Sequence, residues 1–230
     1  MNPDFEAIVE SVTRRVLTAL TGEHFAECLM CRGDCASHSA GKVRQVVEAG
    51  ASRISFNGSG ADVPTDLAGF IDHTLLRADA TAADIDRMCD EARRYGFAAV
   101  CVNPSWIKRV ADNLRGSGVV ACSVVGFPLG AHAPAIKAME ARQAIRDGAR
   151  EIDTVIDIGA LKSGDYDMVE RDIAGVANAC RETGAVCKVI IEAAMLTDEE
   201  KVVASRLAKR AKAHFVKTST GFGPGGATVY

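Results

Sequence analysis

The stretch His214-Phe215-Val216-Lys217-Thr218-Ser219-Thr220-Gly221-Phe222-Gly223 opens apolar and β-branched, as a buried strand does, then sets a lysine in that strand and closes on small polar residues and glycines. Burial strips hydration from an ammonium and lowers its pKa below the reference of ~10.4, so part of the population becomes free amine. A free amine attacks carbonyls, and a glycine-rich turn offers backbone amides to an anion such as phosphate. The same run also reads as a strand whose lysine simply reaches solvent, and the remaining residues decide between the two. Alternation with period two assigns faces to the other strand-like segments. Phe70, Asp72 and Thr74 share a face, as do Cys101 and Asn103; Asp153, Val155 and Asp157; Lys188, Ile190 and Glu192; and Lys217 and Ser219. Faces turned toward one interior would gather Asp72, Cys101, Asp153, Lys188, Glu192 and Lys217. Buried charges persist only when paired, so such a cluster is either a structural ion-pair network or a functional site. A lysine leading into a glycine turn favours chemistry. Its amine would add to an aldehyde or ketone and expel water to leave an iminium, an electron sink, while Asp153, best placed by strand order, moved protons. That is the scheme of a metal-free, cofactor-free class I aldolase.

These side chains need a scaffold that converges strand ends. From Leu67 onward, apolar strand patterns at 69–75, 98–103, 119–126, 151–158, 187–193 and 214–219 alternate with helix patterns at 82–95, 105–115, 134–147, 165–183 and 198–212. Two helices open with capping-box spacing, Thr81-x-x-Asp84 and Thr197-x-x-Glu200, in which a hydroxyl and a carboxylate satisfy otherwise orphaned backbone amides. Apolar strands alternating with helices predict a parallel sheet covered by helices. Six such units predict an α/β (β/α)8 TIM barrel with its site at the C-terminal strand ends. A doubly wound sheet is the alternative, weakened because no Gly-x-Gly-x-x-Gly follows an early strand.

Residues 1–66 read as an N-terminal extension to an aldolase-like domain at 67–230. Phe5, Ile8, Val9, Val12, Val16 and Leu20 recur at helical spacing over residues 4–20. This amphipathic helix either packs on its own domain or a twin subunit, or serves as a detachable docking helix; a short leader of this kind with a linker resembles the peptides that carry enzymes into bacterial microcompartments. Cys28, Cys31, Cys35 and His38 offer three thiols and an imidazole within eleven residues, either a small metal knot or reduced cysteines in a loop. A short helix with a strand-like ending and the linker-like Asn57-Gly58-Ser59-Gly60 complete the extension.

Composition narrows the partners. The chain has 230 residues, 48% hydrophobic and 25% charged, with formal net charge −3, which argues against nucleic acid or an anionic membrane as the main partner. No apolar run reaches the ~18 residues of a membrane span. Eight cysteines, five of them scattered through strand and helix patterns (Cys89, Cys101, Cys122, Cys180, Cys187), fit reduced thiols and a cytoplasmic setting better than a disulfide framework.

Several motifs are familiar in order and spacing. Phe70-Ile71-Asp72-His73-Thr74-Leu75-Leu76, Val100-Cys101-Val102-Asn103-Pro104, Val125-Gly126-Phe127-Pro128-Leu129-Gly130, Glu151-Ile152-Asp153-Thr154-Val155-Ile156, Lys188-Val189-Ile190-Ile191-Glu192 and Lys217-Thr218-Ser219-Thr220-Gly221-Phe222 resemble successive segments of the deoxyribose-phosphate aldolases over about residues 67–228. The resemblance implies a TIM barrel, usually dimeric, that reversibly cleaves 2-deoxy-D-ribose 5-phosphate into D-glyceraldehyde 3-phosphate and acetaldehyde. It implies Lys217 as the Schiff-base lysine and Asp153 as the aspartate that donates and accepts protons. Asp72 and Lys188 match polar residues lining the pocket, and Thr218, Thr220 and Gly221 fall where the family holds substrate hydroxyl and phosphate.

The family pattern continues past Tyr230 with a helix, a strand carrying a second lysine, and a closing strand. No residue here matches that second lysine, a charge neighbour that lowers the pKa of the first. Two expectations follow: a truncated form of a normal enzyme, or a short impaired or scaffolding relic of the fold. Glu48-Ala49-Gly50-Ala51-Ser52-Arg53-Ile54-Ser55 also looks locally like the family's closing strand, which leaves a permuted barrel as a remote third.

Overall fold

The computed structural model describes residues 67–228. The amphipathic helix at 4–20, the Cys28–His38 cluster, the 51–55 segment and the linker lie outside the described residues.

The order of elements is β1 (Asp72–Leu75), α1 (Ala82–Tyr95), β2 (Ala99–Val102), α2 (Ile107–Asn113), β3 (Val120–Val125), α3 (Pro134–Arg146), β4 (Glu151–Val155), α4 (Ile158–Lys162), α5 (Tyr166–Arg181), β5 (Val186–Ile190), α6 (Asp198–Arg210) and β6 (Phe215–Lys217). The strands are short, β2, β3 and β5 mostly apolar and rich in valine, and α1, α4, α5 and α6 open on a capping side chain and α3 on a proline. Both predicted capping boxes form: the Thr81 hydroxyl accepts from Asp84 N while the Asp84 carboxylate accepts from Thr81 N, and Thr197 and Glu200 do the same. Several boundaries differ from the sequence reading: Asn103 and Ser219 fall outside β2 and β6, and α4 stands where no helix is predicted. Leu67–Phe70 is a 3-10 turn rather than the start of a strand, which leaves Phe70 40% exposed and outside the sheet. Asp157 leaves the strand face because β4 ends at Val155, and its carboxylate caps α4 by accepting from Ala160 N at 2.8 Å. Glu192 likewise lies beyond β5, in the left-handed region.

The six strands are all parallel and lie side by side in chain order. A doubly wound sheet would reverse direction midway, so that alternative is removed. The sheet is also curled. Strands β1 and β5 stand four positions apart, ~19 Å if flat, yet Lys188 Nζ reaches Asp72 Oδ2 at 2.7 Å. Two side chains span that gap only when the sheet bends into a half-barrel. Period two then divides the core in two. Val100, Val102, Ala121, Val125, Ile152, Val189 and Ile191 face the helices, whereas Ala99, Cys101, Cys122 and Val124 form a small apolar floor on the concave side. No helix among the described residues is long and apolar enough to cross a membrane.

One strut was missed by the sequence reading. Lys137 on α3 is fully buried; its ammonium donates to Asp172 Oδ2 on α5 at 2.6 Å and to the carbonyl of Val155, the last residue of β4, at 2.9 Å. Its stem runs beneath Gly126 (φ 60°), where a Cβ would fall 2.8 Å from Lys137 Cε. The signal was in the sequence: Lys137 sits on the Ala141–Ala144 stripe, and Asp172 on the Val169–Ile173–Val176 stripe.

Candidate active site

The concave face brings the sequence-predicted charges together. Asp153 and Lys188 are register partners across β4 and β5, and Lys217 pairs with Ile190 across β5 and β6. Lys217 Nζ donates to Asp153 Oδ2 at 2.5 Å and stands 4.0 Å from Asp72 Oδ2. Lys188 Nζ meets three carboxylates, Glu151 Oε2 at 2.5 Å, Asp72 Oδ2 at 2.7 Å and Asp153 Oδ1 at 3.1 Å. Glu151 went unnamed in the sequence reading although the alternation that selects Asp153 selects it too.

The two lysines differ in access. Lys188 is 5% exposed and walled in, whereas Lys217 is 33% exposed beside a fully buried Asp153. Lys217 is therefore the amine that faces incoming molecules.

The electrostatics correct the expected direction for Lys217. Burial does pull its ammonium downward, but the Asp153 carboxylate and Cys101 outweigh it, and the Lys217 pKa lies above the ordinary lysine value. Lys188 behaves likewise: burial opposes its charge, yet the carboxylates of Asp153, Asp72 and Glu151 hold it well above the usual range. Asp153 is pulled the other way. Burial disfavours its charge, but Lys188 and Lys217 together keep its carboxyl below the usual carboxylate range. The resting site is thus a charged pair: burial and Lys188 pull the Lys217 ammonium downward, and Asp153 outweighs them.

Cys101 and Cys122 are buried register partners beneath Asp153, with Cys122 Sγ donating to Asp153 Oδ1 at 3.3 Å. Cys101, Cys122 and Asp153 each present one ligand atom, all within 4.8 Å of one another. A cation fits poorly there. The Lys188 ammonium already lies 3.6 Å from Cys122 Sγ and 3.1 Å from Asp153 Oδ1, and a contact with Cys101 and burial push the Cys122 thiol well up, keeping it protonated.

After Lys217 the chain enters the predicted turn. Thr218 is exposed, and its carbonyl accepts from Ala193 N at 2.7 Å. Gly221 turns with φ 83°. Thr220 is buried, its hydroxyl donating to Glu192 Oε2 at 2.5 Å and accepting from Phe222 N at 3.0 Å. Phe222 meets Phe127, beyond β3, edge-on at 5.4 Å, so the turn touches the rim on the far side of β4 and β5.

A curled sheet of six parallel strands covered by helices, with a reachable lysine and a buried aspartate on its concave side, defines the class: an α/β half-barrel. Residues 67–230 match the model of the DeoC/LacD family aldolases. Over 163 residues the chain is 56% identical to a deoxyribose-phosphate aldolase from Geobacillus sp. (strain WCH70), covering 71% of this chain and 73% of that one. A Lysinibacillus sphaericus deoxyribose-phosphate aldolase is 55% identical with the same coverage. Among solved structures, a tetrameric deoxyribose phosphate aldolase from Aeropyrum pernix superposes with TM-score 0.65 at 35% identity, covering 78% of this chain and 72% of that one. A Coccidioides immitis structure assigned to the same enzyme gives TM-score 0.69 at 40% identity over 71% of this chain, which spans 64% of that one. The chain belongs to the DeoC/LacD aldolase family, and its named relatives are lyases.

Proposed function

We propose that this protein reversibly cleaves 2-deoxy-D-ribose 5-phosphate to D-glyceraldehyde 3-phosphate and acetaldehyde through an imine on Lys217, the curled sheet being six strands of a (β/α)8 barrel. The observation that carries the reading is Lys217 itself, reachable from solvent at the strand ends with its ammonium 2.5 Å from a fully buried carboxylate. Sequence kinship to named deoxyribose-phosphate aldolases supports the substrate.

Lys217 first sheds its proton, then its nitrogen adds to the C1 carbonyl of the open-chain sugar. Loss of water leaves an iminium. Removal of the C3 hydroxyl proton lets the C2–C3 bond break, its electron pair flowing into the iminium to give an enamine as glyceraldehyde 3-phosphate departs. Protonation of the enamine carbon and hydrolysis release acetaldehyde and restore the amine. Asp153, already hydrogen-bonded to Lys217, is the group placed to pass these protons, directly or through water. Lys188, itself held by Asp72 and Glu151, keeps the charge and geometry of Asp153, Cys101 floors the pocket, and the turn from Thr218 through Gly221 to Gly223 receives the phosphate end.

The test is borohydride trapping with acetaldehyde, read by intact mass and peptide mapping. A two-carbon adduct on Lys217, absent in Lys217→Met, is expected. An adduct on another lysine, or unchanged cleavage by Lys217→Met, would overturn the assignment.

A further inference from the structure

Among the described residues, Glu192 is the buried charged residue on this rim that the proposed aldol chemistry does not use. It is 2% exposed, and its backbone sits at φ 50°, ψ 62°, a left-handed conformation that is unfavourable for an L-residue with a side chain. From there its Oε2 accepts from both Thr220 N at 3.2 Å and Thr220 Oγ1 at 2.5 Å. The Thr220 hydroxyl in turn accepts from Phe222 N at 3.0 Å. The far side of the carboxylate is closed by Gly223, where a Cβ would stand 2.8 Å from Glu192 Cδ and 2.9 Å from Oε1. One carboxylate therefore grips the turn at residues 220 and 223, and through Thr220 at 222.

We infer that Glu192 is a positioning residue that presets the 218–223 turn for a phosphate group before substrate arrives. Its charge is not itself a phosphate ligand, because a carboxylate repels phosphate and this one lies buried under the turn. What it supplies is rigidity. Amides held in one arrangement bind an anion without the entropy cost of ordering the turn at that moment. Glycine at 223 is demanded by the same contact, since any side chain there strikes the carboxylate. The inference rests on the reading of the turn as the phosphate subsite, and the experiment keeps the two apart.

The experiment follows peptide-level hydrogen exchange in the full chain, with and without inorganic phosphate, for the native protein, Glu192→Gln, Glu192→Ala, Gly223→Ala and the Glu192→Ala/Gly223→Ala double variant. Loss of the two bonds is expected to speed exchange over 218–223 by ~10-fold or more in Glu192→Ala, with β4 unchanged and Glu192→Gln intermediate, since its neutral amide oxygen accepts the same two bonds more weakly than a carboxylate. Gly223→Ala should loosen the turn alone but add little in the Glu192→Ala background, where the obstacle is gone. Phosphate should protect 218–223 in the native protein and fail to do so at the same concentration in Glu192→Ala. In turnover, Glu192→Ala should raise KM for the phosphorylated sugar ~10-fold at nearly constant kcat, and leave unphosphorylated 2-deoxyribose almost untouched. Unchanged exchange in Glu192→Ala, additive effects in the double variant, or equal losses on both sugars would overturn the role of Glu192. Phosphate protection absent from the native protein would instead remove the phosphate reading of the turn, while the exchange comparison still reports whether Glu192 orders it.

Discussion

In the proposed imine chemistry Lys217 must be neutral to attack, while Asp153 favours its charged form, and this sets how the site should respond to pH. Imine formation needs the free amine, so its rate should climb as pH rises toward the elevated Lys217 pKa. Asp153→Asn removes the carboxylate that opposes desolvation, leaving burial and the nearby Lys188 charge to depress the ammonium. The acid limb of borohydride trapping should therefore shift to lower pH in that variant, while sugar cleavage falls by ~10²-fold or more because proton transfer is lost. A limb that stays in place would mean Asp153 does not govern the lysine. The pair also links pH to stability. Its lysine half contributes fully below the unfolded lysine pKa and is lost as pH rises through the folded value. Its aspartate half contributes above the unfolded carboxyl value and is lost as pH falls through the folded one. Both residues were legible in the sequence from alternation and from the glycine turn. The direction of the lysine shift was not, because burial is visible in a strand pattern while the distance to a carboxylate 64 residues away is not.

Among the elements, the α3–α5 strut makes the sharpest prediction. Burial pushes the Asp172 carboxyl above its usual range even with Lys137 beside it, so removing the lysine leaves an expensive buried acid. Lys137→Met should lower unfolding stability by about 3–5 kcal/mol in urea titrations, and adding Asp172→Leu should recover much of that loss. Equal destabilisation in the single and double variants would assign the strut to packing alone. Because Lys137 also holds the Val155 carbonyl two residues from Asp153, Lys137→Met should in addition slow cleavage by the native fraction. The helices and strands themselves followed from hydrophobic period and caps, with errors at strand ends. The strand patterns at 69–75 and 151–158 take in Gly69, Phe70 and Asp157 because apolar or alternating residues continue past the point where hydrogen bonding stops.

For the whole molecule, the division at residue 67 becomes a proposal that the extension is separable. A chain starting at Leu67 should keep its circular dichroism and trap acetaldehyde on Lys217; loss of either would make residues 1–66 part of the enzyme proper. Sedimentation of the full chain addresses assembly, with the dimer implied by family resemblance expected, against the tetramer formed by the Aeropyrum pernix relative.

The sequence alone determined the order of the six strands and of every helix but α4, the parallel sheet and the inward face of every strand but β3, because these depend on local period and on capping within a few residues. It also singled out Lys217 and Asp153, since charge inside an apolar strand is a local anomaly. Only the tertiary structure decided which charges meet. The curl of the sheet carries Lys188 from β5 to Asp72 on β1, sets two lysines on opposite oxygens of Asp153, and turns Glu192 away from that cluster to grip Thr220. Those outcomes depend on strand twist and on where each strand ends, and together these fix distances that residue spacing does not contain.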